Sequence, residues 1–266
     1  MKTYGETRLM SVEAASRLAN AALTFRRIRH IALMPVVYAL GCICIAGLTG
    51  RPVLASGSDD APDWVRQAVS TAAPSYPAAT PAVVLLKEGT TTVDSDGKLV
   101  RTERHVVKVL TRDGISAAQA EESYLTDTEK VREMEAWMIR PSGTVKHYKK
   151  DSVADVAMVD DDVYSEARLK LIRAVDDAEE GSVFAFEFVF ESKSVFTQME
   201  WYFQGRYPVV VSRFALTVPA GWRAEAVTIN HAPINSATSG STYTWELRDL
   251  PYITAEPDRP EVTSIA

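Results

Sequence analysis

The most reactive side chains in the sequence are those of Cys42 and Cys44, in the stretch ALGCICIAG. A Cys-x-Cys pair suits metal ligation, redox exchange, lipid attachment or apolar filling of a membrane-directed segment. A metal centre needs more ligands, and the chain has four histidines and no third cysteine. A lipid-attachment site calls for Leu three residues before Cys42, where Ala39 stands, and for polar residues after it, where the chain stays apolar. Arg26, Arg27 and Arg29 precede a stretch from Ile31 to Gly50 without charge, and Val53-Leu54-Ala55 follows. Basic, apolar and small-residue parts in that order make an export signal. About twenty apolar residues also suffice to cross a bilayer as a helix. Residues 1–55 are therefore expected as a signal peptide cleaved near Ala55, or as a signal anchor. In the second case residues 31–50 hold the chain in the inner membrane with the basic flank inside. Both readings make the cysteines apolar filling.

The other chemistry-bearing residues are scattered. Asp94-Ser95-Asp96-Gly97 begins like a calcium loop but lacks the third acidic ligand and the glutamate at the twelfth position, so a hairpin turn is expected. Asp160, Asp161, Asp162 and Glu166 form a carboxylate cluster that suits a divalent cation or, more simply, a solvated loop. His105, His147 and His231 have no partner at metal-ligand spacing, and no nucleophile elbow, phosphate loop or dinucleotide motif is present. Trp137, Trp201, Trp222 and Trp245 suit a carbohydrate groove, or a β core, which is where such residues more often lie. The expectation is no catalytic residue, no cofactor-binding residue, no metal ligand and no cofactor.

Charge narrows the partners. With residues 1–55 set aside, 22 of the 29 basic and 33 of the 35 acidic residues remain, a net charge of −11. Such a domain is a poor nucleic-acid binder. It also has no cysteine, so it forms no disulfide and offers no thiol nucleophile.

The elements that must position these residues read as strands. Residues 56–81 are expected as a linker with a short helix in DDAPDWVRQAV, followed by the proline-rich TAAPSYPAATP. From Ala82 the pattern becomes β: AVVLLKEGTTTV and KLVRTERHVVKVLT flank the DSDG turn, and RDG marks another turn. VREMEAWMI pairs with TVKHY across RPSG. In GSVFAFEFVFES, Phe184, Phe186, Phe188 and Phe190 share one face, with Val183, Ala185 and Val189 on the other, which predicts a central strand between two layers. PVVVSRFALTVP, WRAEAVTI and TYTWELRDLP supply further strands, and residues 151–172 stay open between strand and helix. The expected fold is all-β, an antiparallel β-sandwich over residues 82–260 with a tail at 261–266.

Taken together, APDWV, VVLLKEGTTTVDSDGKLVRTERHVVKVLTRDG, AWMIRPSGTV, DDAEEGSVFAFEFVF, WYFQGRYPVVVSRFALTVPAGW and YTWELRDLPYITAEPDRP resemble the domain of unknown function that precedes transglutaminase-like cores in bacterial exported proteins. Trp201, Phe203, Gln204, Pro208, Pro219, Gly221 and Trp222 carry most of the resemblance, which runs from about Ala61 to Pro260. It implies an immunoglobulin-like sandwich between the signal and an enzyme-like core. That core uses Cys, His and Asp, with the thiolate as nucleophile, and no position here matches that triad. The expected function is that of an exported, non-enzymatic accessory domain of the periplasm or cell envelope. It would bind or position a protein, peptide or envelope polymer, with membrane contact only through residues 31–50. The alternative is half of a split or truncated transglutaminase-like or protease-like enzyme whose core lies on a separate chain.

Overall fold

Short turns set the frame. The computed structural model describes residues 8–10, 60–158, 166–193 and 199–253. Strands β2 (Ala82–Val93) and β3 (Leu99–Val109) are joined through Asp94, whose carboxylate accepts from the backbone N–H groups of Asp96 at 3.0 Å and Lys98 at 2.9 Å. Gly97 completes that turn at φ +81°, a conformation that costs glycine little. The RPSG turn likewise joins β5 (Glu129–Ile139) to β6 (Val145–Tyr148), with Trp137 opposite His147. Asp113-Gly114 is a turn of another kind, inside a 3-10 segment at Arg112–Ala117. A Cβ on Gly114 would lie 1.9 Å from the Pro81 carbonyl oxygen, so close packing calls for the glycine there.

The strands form three sheets among the described residues. The largest has eight strands, in the order β13 (Ala237–Ser239), β14 (Thr242–Leu250), β11 (Val209–Thr217), β2, β3, β9 (Val183–Ser192), β5, β6. All its pairs are antiparallel except β2 with β11, two strands too far apart in sequence for any hairpin to set their direction. A second sheet has the order β4 (Gln119–Leu125), β8 (Ala167–Arg173), β7 (Ala154–Ala157). In the third, β1 (Arg8–Met10) lies between β10 (Glu200–Tyr202) and β12 (Val227–Ile229). The expectation of a β fold holds in this form: the described residues are mostly strand, in sheets rich in antiparallel pairs. Within the open stretch 151–172, β7 and β8 make the residues 154–157 and 167–172 strand, whereas the β character of WRAEAVTI is confined to Val227–Ile229.

Strand β9 shows why the large sheet needs cover on both sides. Its phenylalanines pack with Met134, Met138, Ala120 and Ile172, which joins the large sheet to β4 and β8. Its Val183 and Ala185 pack on the other side with Val65 and Ala68 of the helix α1 (Asp63–Ser70). Burying each phenylalanine contributes roughly 1.5–3 kcal/mol, so this strand is a main source of stability. Glu187 interrupts the helix-side face for a reason visible only across strands. Glu187, Arg104, Glu88, Arg213 and Glu246 are register neighbours on five adjacent strands and form a row of alternating charge. Arg213 reaches Glu88 at 3.0 Å and Glu246 at 2.6 Å within that row.

A β-bulge decides which residues of β2 face the phenylalanine side. The β2–β3 register shifts between Val84 and Leu86. Val83, Leu85 and Leu86 all pack on the helix side as a result. From there on Lys87, Gly89 and Thr91 stand opposite His105, Glu103 and Arg101, in the same rows as Phe186, Phe188 and Phe190. Unbroken alternation from Val83 would have turned these three residues to the helix side.

Candidate functional site

The three sheets meet around a cavity of about 530 Å³. Lys87 and Thr91 come from β2, Arg101 and Glu103 from β3, Glu122 from β4, Glu129 from β5, and Glu200 to Tyr202 from β10. Leu99, Phe190, Met199 and Phe214 supply apolar wall. Trp201 lies against the sheet because β2 has no side chain at Gly89: a Cβ there would be 2.5 Å from the indole Cζ3. The indole N–H donates to Ser212 Oγ at 3.3 Å, and the ring lies 5.3 Å from Phe214.

A chain of charged groups crosses the cavity floor. Arg101 pairs with Glu122 through one terminal nitrogen and with Glu103 through the other, at 3.0 Å. Its guanidinium rests over the rings of Phe190 at 4.8 Å and Phe188 at 5.5 Å. Glu103 also meets His105 Nε2 at 3.2 Å, and the imidazole stacks on Phe186 at 4.6 Å. Lys87 donates to the Tyr202 carbonyl oxygen and sits 4.9 Å from the Trp201 ring. Two polar atoms in this region are buried without a hydrogen-bond partner among the described residues: Thr91 Oγ1, on a fully buried residue, and Arg101 Nε.

The electrostatics follow first from burial, and then from one guanidinium shared by two carboxylates. Burial pushes the Glu122 carboxyl up to about 7 against the pull of Arg101, and the charges of Glu103 and Glu129 push the same way. Burial also raises Glu103, but the hydrogen bond with His105 and the charges of Arg101, His105 and Lys87 outweigh it and hold that carboxyl below its usual range. Burial lowers both His105 and Lys87, against the attraction of Glu103. Glu122 is therefore poised to change charge near neutral pH, whereas Glu103 stays ionised there.

The residues weighed from sequence fall mostly elsewhere. His105 borders the cluster, whereas His147 stacks on Trp137 at 4.8 Å and His231 is exposed. Trp137, Trp201 and Trp245 are buried and Trp222 is half-buried, which assigns them to packing rather than to an exposed aromatic groove. Asp94 and Asp96 serve the hairpin. Asp160, Asp161, Asp162, Cys42 and Cys44 lie outside the described residues, as does the segment 31–50. No helix among the described residues is long and apolar enough to cross a membrane, and no cluster of His, Cys, Asp or Glu there could hold a metal ion. Lys87, Thr91, Arg101, Glu103 and Glu122 were not picked out from sequence. The signal for two of them was Arg101-x-Glu103-x-His105, an alternation that places ionisable groups on the same strand face as Val107.

Comparison with known proteins gives the fold a family. Residues 95–254 match the family model described as a domain of unknown function with a solved structure, DUF3857. Among solved structures, a chain from Parabacteroides distasonis ATCC 8503 described as "a putative protease" is similar over 68% of this chain at 14% identity and a TM-score of 0.54. The match spans 38% of that longer chain. The CBM3a-L domain with flanking linkers from scaffoldin cipA of the Clostridium thermocellum cellulosome aligns over 45% of this chain and 72% of its own length. Its identity is 11% and its TM-score 0.24, too low to bear on function. No curated protein matches the chain.

Proposed function

Since the chain belongs to the DUF3857 family, we propose that it is an exported accessory domain whose three-sheet cavity binds and positions a peptide or envelope polymer. The observation that carries this reading is the cavity itself, a recess with polar and apolar walls that the fully buried Thr91 lines, its hydroxyl without a partner among the described residues. Both cysteines fall in residues 42–44, inside the segment read as a signal or anchor, so the domain brings no thiol to the site. Binding without covalent catalysis is the reading that suits this composition. The immunoglobulin-like sandwich implied by the resemblance has support in the packing of β4 and β8 on the phenylalanine face. Export, to the periplasm or envelope or to an inner-membrane anchor at 31–50, rests on the order of basic, apolar and small residues before Ser56.

The test compares binding with turnover. Full-length protein and Arg101→Met are crosslinked to isolated cell envelopes, and the purified protein is assayed for peptide hydrolysis and transamidation. Crosslinks that Arg101→Met abolishes, together with no turnover, support the reading. Turnover by the purified chain overturns it. A second reading, service to a transglutaminase-like or protease-like core on a partner chain, has support in the 38% share of the Parabacteroides chain that the match covers. Its test is whether a co-expressed chain carrying Cys, His and Asp segments co-purifies with this one.

A further inference from the structure

We propose that the three-sheet cavity is a site for an alkylammonium group, either a free primary amine or a lysine side chain, held at Glu122 and Thr91. This inference rests on the reading of the cavity as the binding site. Four carboxylates line it, those of Glu103, Glu122, Glu129 and Glu200, against two cations, Lys87 and Arg101. Both cations are engaged, and of their donors only Arg101 Nε is buried without a partner among the described residues. Lys87 is committed to the Tyr202 carbonyl, and Arg101 divides its terminal nitrogens between two carboxylates. Lys170, the register neighbour of Glu122 on β8, donates instead to the Val131 carbonyl at 2.8 Å. Only Oε1 of Glu122 is engaged by a described residue, which leaves Oε2 to accept.

Thr91 supplies the independent mark of a ligand. Its side chain is fully buried and lines the cavity, yet its hydroxyl has no partner among the described residues. Leaving such a group unpaired costs about 1–3 kcal/mol, which a ligand donor would relieve. An ammonium offers three donors and no acceptor, matching Glu122 Oε2 and the Thr91 hydroxyl oxygen as two acceptors. The methylenes of an alkyl chain would lie along Leu99, Phe190 and Phe214. An anion meets the opposite situation, since it would enter a space already crowded with carboxylates. Burial raises the Glu122 carboxyl first, and the charges of Glu103 and Glu129 raise it further.

The experiment is calorimetric titration of the full-length protein at pH 7 with n-pentylamine, n-pentanol and valerate. N-acetyl-lysine amide and its Nε-acetylated form are titrated in parallel. Pentylamine is expected to bind at least tenfold more tightly than pentanol or valerate, a difference of about 1.4 kcal/mol. Glu122→Gln should lose at least tenfold in amine affinity and Thr91→Val a few-fold, with thermal melts confirming that both variants fold. Binding also draws Glu122 into its ionised form, so repeats in buffers of different ionisation enthalpy should show release of up to about half a proton per ligand. A merely structural Glu122 would not produce that release. A lysine amide that binds more tightly than pentylamine assigns the site to polypeptide, and the reverse order assigns it to a free amine. Valerate or pentanol binding as tightly as pentylamine, with loss in Thr91→Val, overturns the ammonium inference and leaves the cavity as a binding site. No binding by any probe overturns the inference and removes the support that the cavity gives to the proposed function.

Discussion

Replacing Glu122 by Gln should make the protein relatively more stable as pH rises. The folded-state carboxyl titrates at about 7, above the ordinary 4.5. Between those values the folded protein holds a proton that the unfolded chain has released, so ionising Glu122 costs stability as pH climbs from about 4.5 to 7. The full difference corresponds to about 3 kcal/mol at about 1.4 kcal/mol per pKa unit. Glutamine keeps the size and a hydrogen-bonding oxygen for Arg101 but does not ionise. The wild-type profile alone cannot isolate this effect, because His105 acts in the opposite sense. Its lowered pKa means that the unfolded chain binds the extra proton, so its contribution to stability grows as pH rises towards 6.5. The lowered carboxyls of Glu103 and Glu246 lose their stabilising contributions only below the ordinary carboxylate range. These terms are common to both proteins, and the difference between variant and wild type leaves Glu122. Urea unfolding followed by tryptophan fluorescence and circular dichroism, at half-unit steps from pH 4.5 to 8, measures it. The variant should gain about 3 kcal/mol on wild type across that range. A difference that stays flat, or that falls with pH, would refute the account in which burial outweighs the pull of Arg101 on Glu122.

Other perturbations test the elements around the cavity. Gly89→Ala places a methyl group 2.5 Å from Trp201 Cζ3, so Trp201 must move. The cost should be about 1–3 kcal/mol, read as a lower urea midpoint with altered tryptophan emission. Phe184→Ala removes a fully buried ring from the central strand and should cost about 3–5 kcal/mol in the same assay. Arg213→Met breaks the alternating-charge row on the helix side, where Arg213 is 37% exposed, and should cost no more than about 1 kcal/mol, less in high salt. N-terminal sequencing of protein recovered from the periplasmic fraction should begin near Ser56. An intact chain found only in the membrane fraction would favour the anchor at 31–50.

The turns and the central strand were legible because their causes are local. Asp94 fixes its hairpin through its carboxylate, Gly97 and Gly143 theirs through backbone conformation, and the four phenylalanines fix a face through a period of two. The cavity was not legible, because its parts meet only through register. Glu122 lies on β4, a strand whose polar run QAEESYL gave little β signal, and nothing local brings it to Arg101. Glu187 looked like a flaw in an apolar face until Arg104 and Glu88 stood beside it in adjacent strands. Asp113-Gly114 gave a true turn for a different cause, the approach of the Pro81 carbonyl.

The bulge at Val84–Leu86 joins packing to site. It lets Leu85 and Leu86 both face the helix side, which adds an apolar side chain to the layer against α1. The same extra residue turns Lys87, Gly89 and Thr91 towards the phenylalanine side, where each has a separate consequence. Lys87 ties β10 through the Tyr202 carbonyl, Gly89 makes room for Trp201, and Thr91 brings a hydroxyl to the cavity wall. With every residue kept but no bulge, Leu86, Glu88 and Thr90 would fall opposite His105, Glu103 and Arg101 instead. That arrangement would lose Lys87 from the cavity, add a fifth carboxylate and put a Cβ where Trp201 must lie. The arrangement of the site is thus a consequence of where the bulge falls, more than of any one residue lining the cavity.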